Sequence, residues 1–127
     1  MDTYIRFQTQ LRCRNTGRPA GIFVAAGRVQ DRKTLPAETR ERIRDVLVWF
    51  NYNLAVPALD DSDWRCQFWF RSNSQAMISR IWELVYLLQD EGIFLAKVRT
   101  SQPGMIVYRD EHQVAAVPPR KKHALRA

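Results

Sequence analysis

Residues 3 to 14 read TYIRFQTQLRCR and alternate without a break, with Ile5, Phe7, Thr9, Leu11 and Cys13 on one side and Tyr4, Arg6, Gln8, Gln10, Arg12 and Arg14 on the other. A period of two suits a half-buried strand, because a helix would scatter the same apolar groups around its circumference. Residues 64 to 71, WRCQFWFR, repeat the pattern, with Trp64, Cys66, Phe68 and Phe70 set against Arg65, Gln67, Trp69 and Arg71. Two such segments require a sheet with one face on a core.

The segments between and after them supply the cover. AGIFVAAGRVQDR fits a short helix through Ile22, Phe23, Ala26 and Val29, although Ile22, Val24 and Ala26 also alternate. A longer helix is expected from Pro36 to Leu54, with Thr34 as N-cap, Glu38 at the positive end of the dipole, and Ile43, Val46, Leu47, Phe50 and Leu54 in one stripe. Trp49 borders that stripe and Tyr52 projects from nearly the opposite side. A third helix opens with a capping box, Ser72 to Gln75, buries Met77, Ile78, Ile81, Leu84, Val85 and Leu88, and stops at Gly92.

Three further strands follow, IFLAKVRT, MIVYR and HQVAAVP. Arg109, Asp110, Glu111 and His112 fall where the last two meet. That charged knot reads as a hairpin turn, stabilised by aspartate to backbone hydrogen bonds, in preference to a catalytic cluster. The fold expected is therefore α+β: one domain over residues 1–118, in the order β-α-α-β-α-β-β-β. Its sheet is mixed or mostly antiparallel, of four or five strands, with two longer helices and one short helix packed on one face. Residues 119–127, PPRKKHALRA from Pro118 onward, form a basic tail expected to be disordered.

With 127 residues, 46% of them hydrophobic and 14 aromatic, the chain can bury a core without staples. Cys13 and Cys66 lie far apart without zinc or redox spacing and are expected as buried thiols. Asp60, Asp61 and Asp63 crowd one loop, but the glycine and terminal glutamate of a calcium loop are missing, so a solvated turn is preferred. No cofactor or metal is expected. The stretch MDTYIRFQTQ lacks an apolar leader core, and no run approaches 18 apolar residues; a cytoplasmic protein with no membrane association is the expectation.

The net charge of +7 is uneven. Residues 1–44 carry ten basic and four acidic groups, residues 45–119 six and nine, and residues 120–127 four basic groups. Arginine outnumbers lysine sixteen to four, a bias that follows either from a GC-rich genome or from selection for planar contacts to phosphate or carboxylate. If the two alternating strands are neighbours, their outward sides combine arginines, glutamines and aromatic rings on one face. Such a face suits an anionic, planar partner. The candidate nucleic-acid or polyanion contacts are Arg6, Arg12, Arg14, Arg65, Trp69, Arg71, Arg120, Lys121 and Lys122. The alternative is a protein interaction surface or homodimer closed by Trp49 and Tyr52, and a polar outer face is also what an idle sheet would show. An enzyme of unknown chemistry comes third. A Cys66 and His112 dyad and a Glu83 and Glu111 carboxylate pair are the arrangements worth naming, and nothing in their spacing brings either together.

Overall fold

The computed structural model describes residues 2–12, 18–57 and 65–119. Six strands and three helices follow in the order β1 (Tyr4–Arg12), β2 (Pro19–Gly21), α1 (Ile22–Gln30), α2 (Ala37–Asn53), β3 (Gln67–Arg71), α3 (Gln75–Asp90), β4 (Ala96–Thr100), β5 (Met105–Arg109) and β6 (Gln113–Val117). Every strand pairing is antiparallel. The α+β architecture and element order match expectation, apart from β2. Proline is tolerated as the first residue of this edge strand, where no ladder N–H is required of it. The basic tail lies outside the described residues from position 120 on.

The helices cover one sheet face because each carries an apolar stripe. Ala25, Ala26 and Val29 of α1, Ile43, Val46 and Phe50 of α2, and Ile81, Leu84, Val85 and Leu88 of α3 join Ile5, Phe7 and Phe70 of the sheet in one core. Trp82 meets Phe7 edge to face at 5.1 Å, the geometry that the aromatic quadrupole favours. The helix starts differ from expectation. Pro36, not Thr34, is the N-cap of α2. The capping box at Ser72 does not form: Ser74 is the N-cap residue of α3, without a side-chain cap hydrogen bond, and the Ser72 hydroxyl meets Thr3 Oγ1 at 2.6 Å. Gly92 does end α3: at φ 84° it directs Ile93 N–H to Leu88 O (2.9 Å) and its own N–H to Gln89 O (3.0 Å), a Schellman closure.

The ladder order β4-β1-β3-β6-β5 places β4 and β5 four strands apart, about 19 Å in a flat sheet. Only Ser101 to Gly104 connect them. Thr100 Oγ1 takes the N–H of Gln102 (3.0 Å), so this link is turned and cannot run at full reach. The sheet must therefore curl. Val98 of β4 and Ile106 of β5 both lie against a second cluster, formed by Tyr4, Trp69, Val114 and Ala116 on the face away from the helices. Trp69 fills the hollow of the curl, where its Nε1 has no hydrogen-bond partner among the described residues.

Candidate functional site

The two alternating segments do lie side by side, with Tyr4 opposite Arg71 and Ile5 opposite Phe70. The open aromatic surface expected of them is absent. Trp69 is 7% exposed and Tyr4 is buried beside it, because curling turns the outer face into the lining of a second apolar cluster. Trp69 therefore serves as filling. Arg71 donates through Nε to Asp110 O at 2.8 Å and lies 3.9 Å from Asp2, which anchors β3 to the β5–β6 turn. Arg12 and Arg65 are exposed. Arg14, Arg120, Lys121 and Lys122 lie outside the described residues, as do Cys13 and the Asp60, Asp61 and Asp63 run. Trp49 is half-buried under the Arg80 guanidinium, 5.0 Å from its ring, while Tyr52 is 86% exposed.

The structure gathers a different set of arginines. Arg28 on α1 donates to Arg12 O of β1 at 2.8 Å. Arg40 of α2 donates through Nη2 to Arg32 O (2.9 Å) and through Nη1 to Gln30 O, and Arg32 donates to Glu91 O at the end of α3 (2.8 Å). Cations thus stand at the carbonyl ends of α1 and α3, where the helix dipoles favour them. These residues come from four segments, and only their shared excess of charge was visible along the chain.

A cleft opens beside the same strand. Gln8 is bridged to both Gly21 and Ala96, and Tyr4 to both Arg71 and Thr100. A residue has one neighbour on each side, so β2 and β3 share one edge of β1 and β4 holds the other. Between β2 and β3 that edge is open at Arg6 and Phe7. Arg6 spans the opening, donating through Nη1 to Phe68 O (3.1 Å), through Nη2 to Pro19 O (3.4 Å) and through Nε to Gln8 Oε1 (3.3 Å). A cavity of about 260 Å³ lies there, walled by Ile22, Phe23, Val24, Phe68 and Phe70, with Cys66, Trp69 and Gln113 also in its lining. Cys66 is half-buried at this wall, where alternation had placed it in the core. Phe68 is likewise 39% exposed.

The charged knot resolves as a turn. Asp110 Oδ1 accepts from His112 N (2.8 Å) and Gln113 N (3.0 Å), and Oδ2 accepts from the Tyr108 hydroxyl (2.6 Å) and Gln113 Nε2 (3.2 Å). His112 Nδ1 meets Ser74 Oγ at 2.8 Å. Asp110 spends its carboxylate on the turn and on Tyr108 and Gln113, so the nucleophile, base and orienting acid of a hydrolytic triad are not lined up through it. No group of His, Cys, Asp and Glu able to hold a metal occurs among the described residues, and no helix there is long and apolar enough to cross a membrane. No protein-family model, curated protein or solved structure matches the chain.

Proposed function

We propose that the protein is a small binding module for a polyanion, nucleic acid first, that works by contact rather than by bond chemistry. The observation that supports this reading is the set of arginines around the ends of α1 and α3, where Arg40 meets Arg32 O, Arg32 meets Glu91 O and Arg28 reaches Arg12 O. Each guanidinium carries five donors in a planar fork, so one held against a carbonyl still has N–H groups to offer a phosphate. The surface is relocated from the sheet face, where Trp69 is enclosed, to the end of the domain where α1 and α3 finish. Arg14, Arg65, Arg120, Lys121 and Lys122 add further positive charge along the chain.

Fluorescence anisotropy with a labelled duplex and a single strand tests it. Four phosphate contacts predict that affinity for the duplex falls about a hundredfold between 50 and 200 mM salt, and less steeply for the single strand. Arg32→Ala is expected to weaken both by a similar factor and to flatten the salt slope. Absence of salt-sensitive binding rejects the reading.

A second reading, self-association, is favoured by Val48 and Tyr52, one turn apart on α2 and both exposed. A dimer built on them weakens little with salt and separates in Tyr52→Ser. A sedimentation profile of monomer at all concentrations sinks it.

A further inference from the structure

The cleft between β2 and β3 has features that a gap between strands does not need. Its walls are largely aromatic and aliphatic, and Phe23, Val24 and Phe68 keep large apolar areas exposed at its rim. Phe23 is braced edge to face by Phe50 at 5.1 Å and stands 6.3 Å from Phe70. The concavity is thus held open by packing. Its volume of about 260 Å³ is just under the range of small-molecule sites, about 300 to 1,000 Å³, and suits a body the size of a single ring.

Arg6 is the charged group of the walls, and the side-chain amides of Gln67 and Gln113 offer an acceptor as well as donors. Arg6 is fixed in place by Phe68 O, Pro19 O and Gln8 Oε1, so little side-chain entropy remains to be lost when an anion meets it. Trp69 also borders the cavity, but its indole N–H is enclosed with the second cluster and is not open to the cleft. The first turn of α1 contributes Ile22, Phe23 and Val24 to the walls. Its N-cap is Gly21, with no side-chain cap, and its first turn carries no acidic residue. The first amides of a helix lack intrahelical acceptors, and the dipole there favours negative charge.

An apolar cavity with a fixed guanidinium and an uncapped helix start in its walls favours an anionic ligand with an apolar body. We propose that this cleft binds a small organic carboxylate with an aromatic body, the ring between Phe23 and Phe68 and the carboxylate toward Arg6 and the first turn of α1. The site is independent of the arginine cluster proposed for polyanions and can stand if that reading fails.

The probe is phenylacetate, with phenylacetamide as its uncharged counterpart, titrated into the whole ¹⁵N-labelled chain and followed by amide shifts. Saturable shifts at Ile22, Phe23 and Val24 are expected, with phenylacetate at least tenfold tighter than phenylacetamide. Two variants keep the fold and change the site. Gly21 has φ −75° and ψ 173°, which alanine adopts freely, yet an added Cβ would lie 3.1 Å from Arg6 Nη2. Gly21→Ala therefore shifts the guanidinium, and the preference for phenylacetate over phenylacetamide is expected to shrink. Val24→Glu places a carboxylate at the third position of α1, where it serves as an internal cap. Thermal stability is expected to hold or rise while phenylacetate binding drops at least tenfold. The proposal is overturned by any of three results: no saturable shift at those amides, equal affinity for acid and amide, or wild-type binding by a folded Val24→Glu.

Discussion

Gly104 faces the carbonyl of Val117 so closely that a Cβ at this position would overlap the carbonyl oxygen, and its φ of 119° lies where other residues are strained. This approach lets the turned link from β4 enter β5 directly beside the end of β6. Gly104→Ala is expected to cost at least about 2 kcal/mol, combining backbone strain with displacement of the β6 end. Urea unfolding measures it, and a loss under about 0.5 kcal/mol shows that the strand ends move apart freely.

Trp69 is the filling of the curled sheet. Trp69→Ala removes most of it and is expected to lose about 3 to 5 kcal/mol. Trp69→Phe leaves a smaller void and also deletes the unpartnered indole N–H, whose burial costs about 1 to 3 kcal/mol, so its net loss is expected to be well below that of the alanine variant. Equal losses for the two would show that the indole N–H is satisfied.

Burial pushes the Asp110 carboxyl up, but its hydrogen bonds from Tyr108, His112 and Gln113 outweigh this and hold it below the ordinary value of 3.8. A lowered folded-state value stabilises the fold above pH 3.8, and that contribution is lost as pH falls through the folded value. The hydrogen bond to Asp110, with burial and the carboxylate charge behind it, raises the Tyr108 hydroxyl above 10.0. Its contribution is complete below pH 10.0 and is lost as pH rises through the raised value. Asp110→Ala is expected to cost about 1 to 3 kcal/mol at pH 7. It should also flatten both limbs of the stability profile, read by urea midpoints from pH 2.5 to 11, and unchanged limbs would dismiss the coupling.

Arg40 holds the end of α1 through Gln30 O and Arg32 O. Arg40→Met keeps the apolar stem and deletes the charge, with an expected loss of about 1 to 2 kcal/mol. Amide exchange should quicken first at Val29 and Gln30. A uniform increase across the domain would point to a global rather than a local role.

Alternation was the dependable signal in this sequence. It marked β1 and β3 as strands and put Tyr4 with Arg6, and Trp69 with Arg71, on the outward sides, because side-chain direction in a strand is set by backbone geometry; that the two strands are neighbours is shown by their pairing. It could not show that this face curls around Trp69, since curling follows from a short link joining strands at opposite ends of the ladder. The start of α3 was misplaced by two residues because the Ser72 hydroxyl has a tertiary partner, Thr3. The cleft had no local signature. Arg6, Gly21 and Phe68 meet only because two strands share one edge, and that pairing depends on contacts remote along the chain.

The sharing of that edge has a kinetic consequence. β1 is laced to β2, β3 and β4, and its ladder partners run as far along the chain as Thr100. Apart from the β1–β2 and β5–β6 pairings, the sheet cannot zip up from nearest neighbours, and loops of some sixty and ninety residues must close before β1 is fully paired. Such distant pairings slow the crossing of the folding barrier relative to a helical domain of the same size. The helices rest on local contacts; the sheet that orients them rests on distant ones.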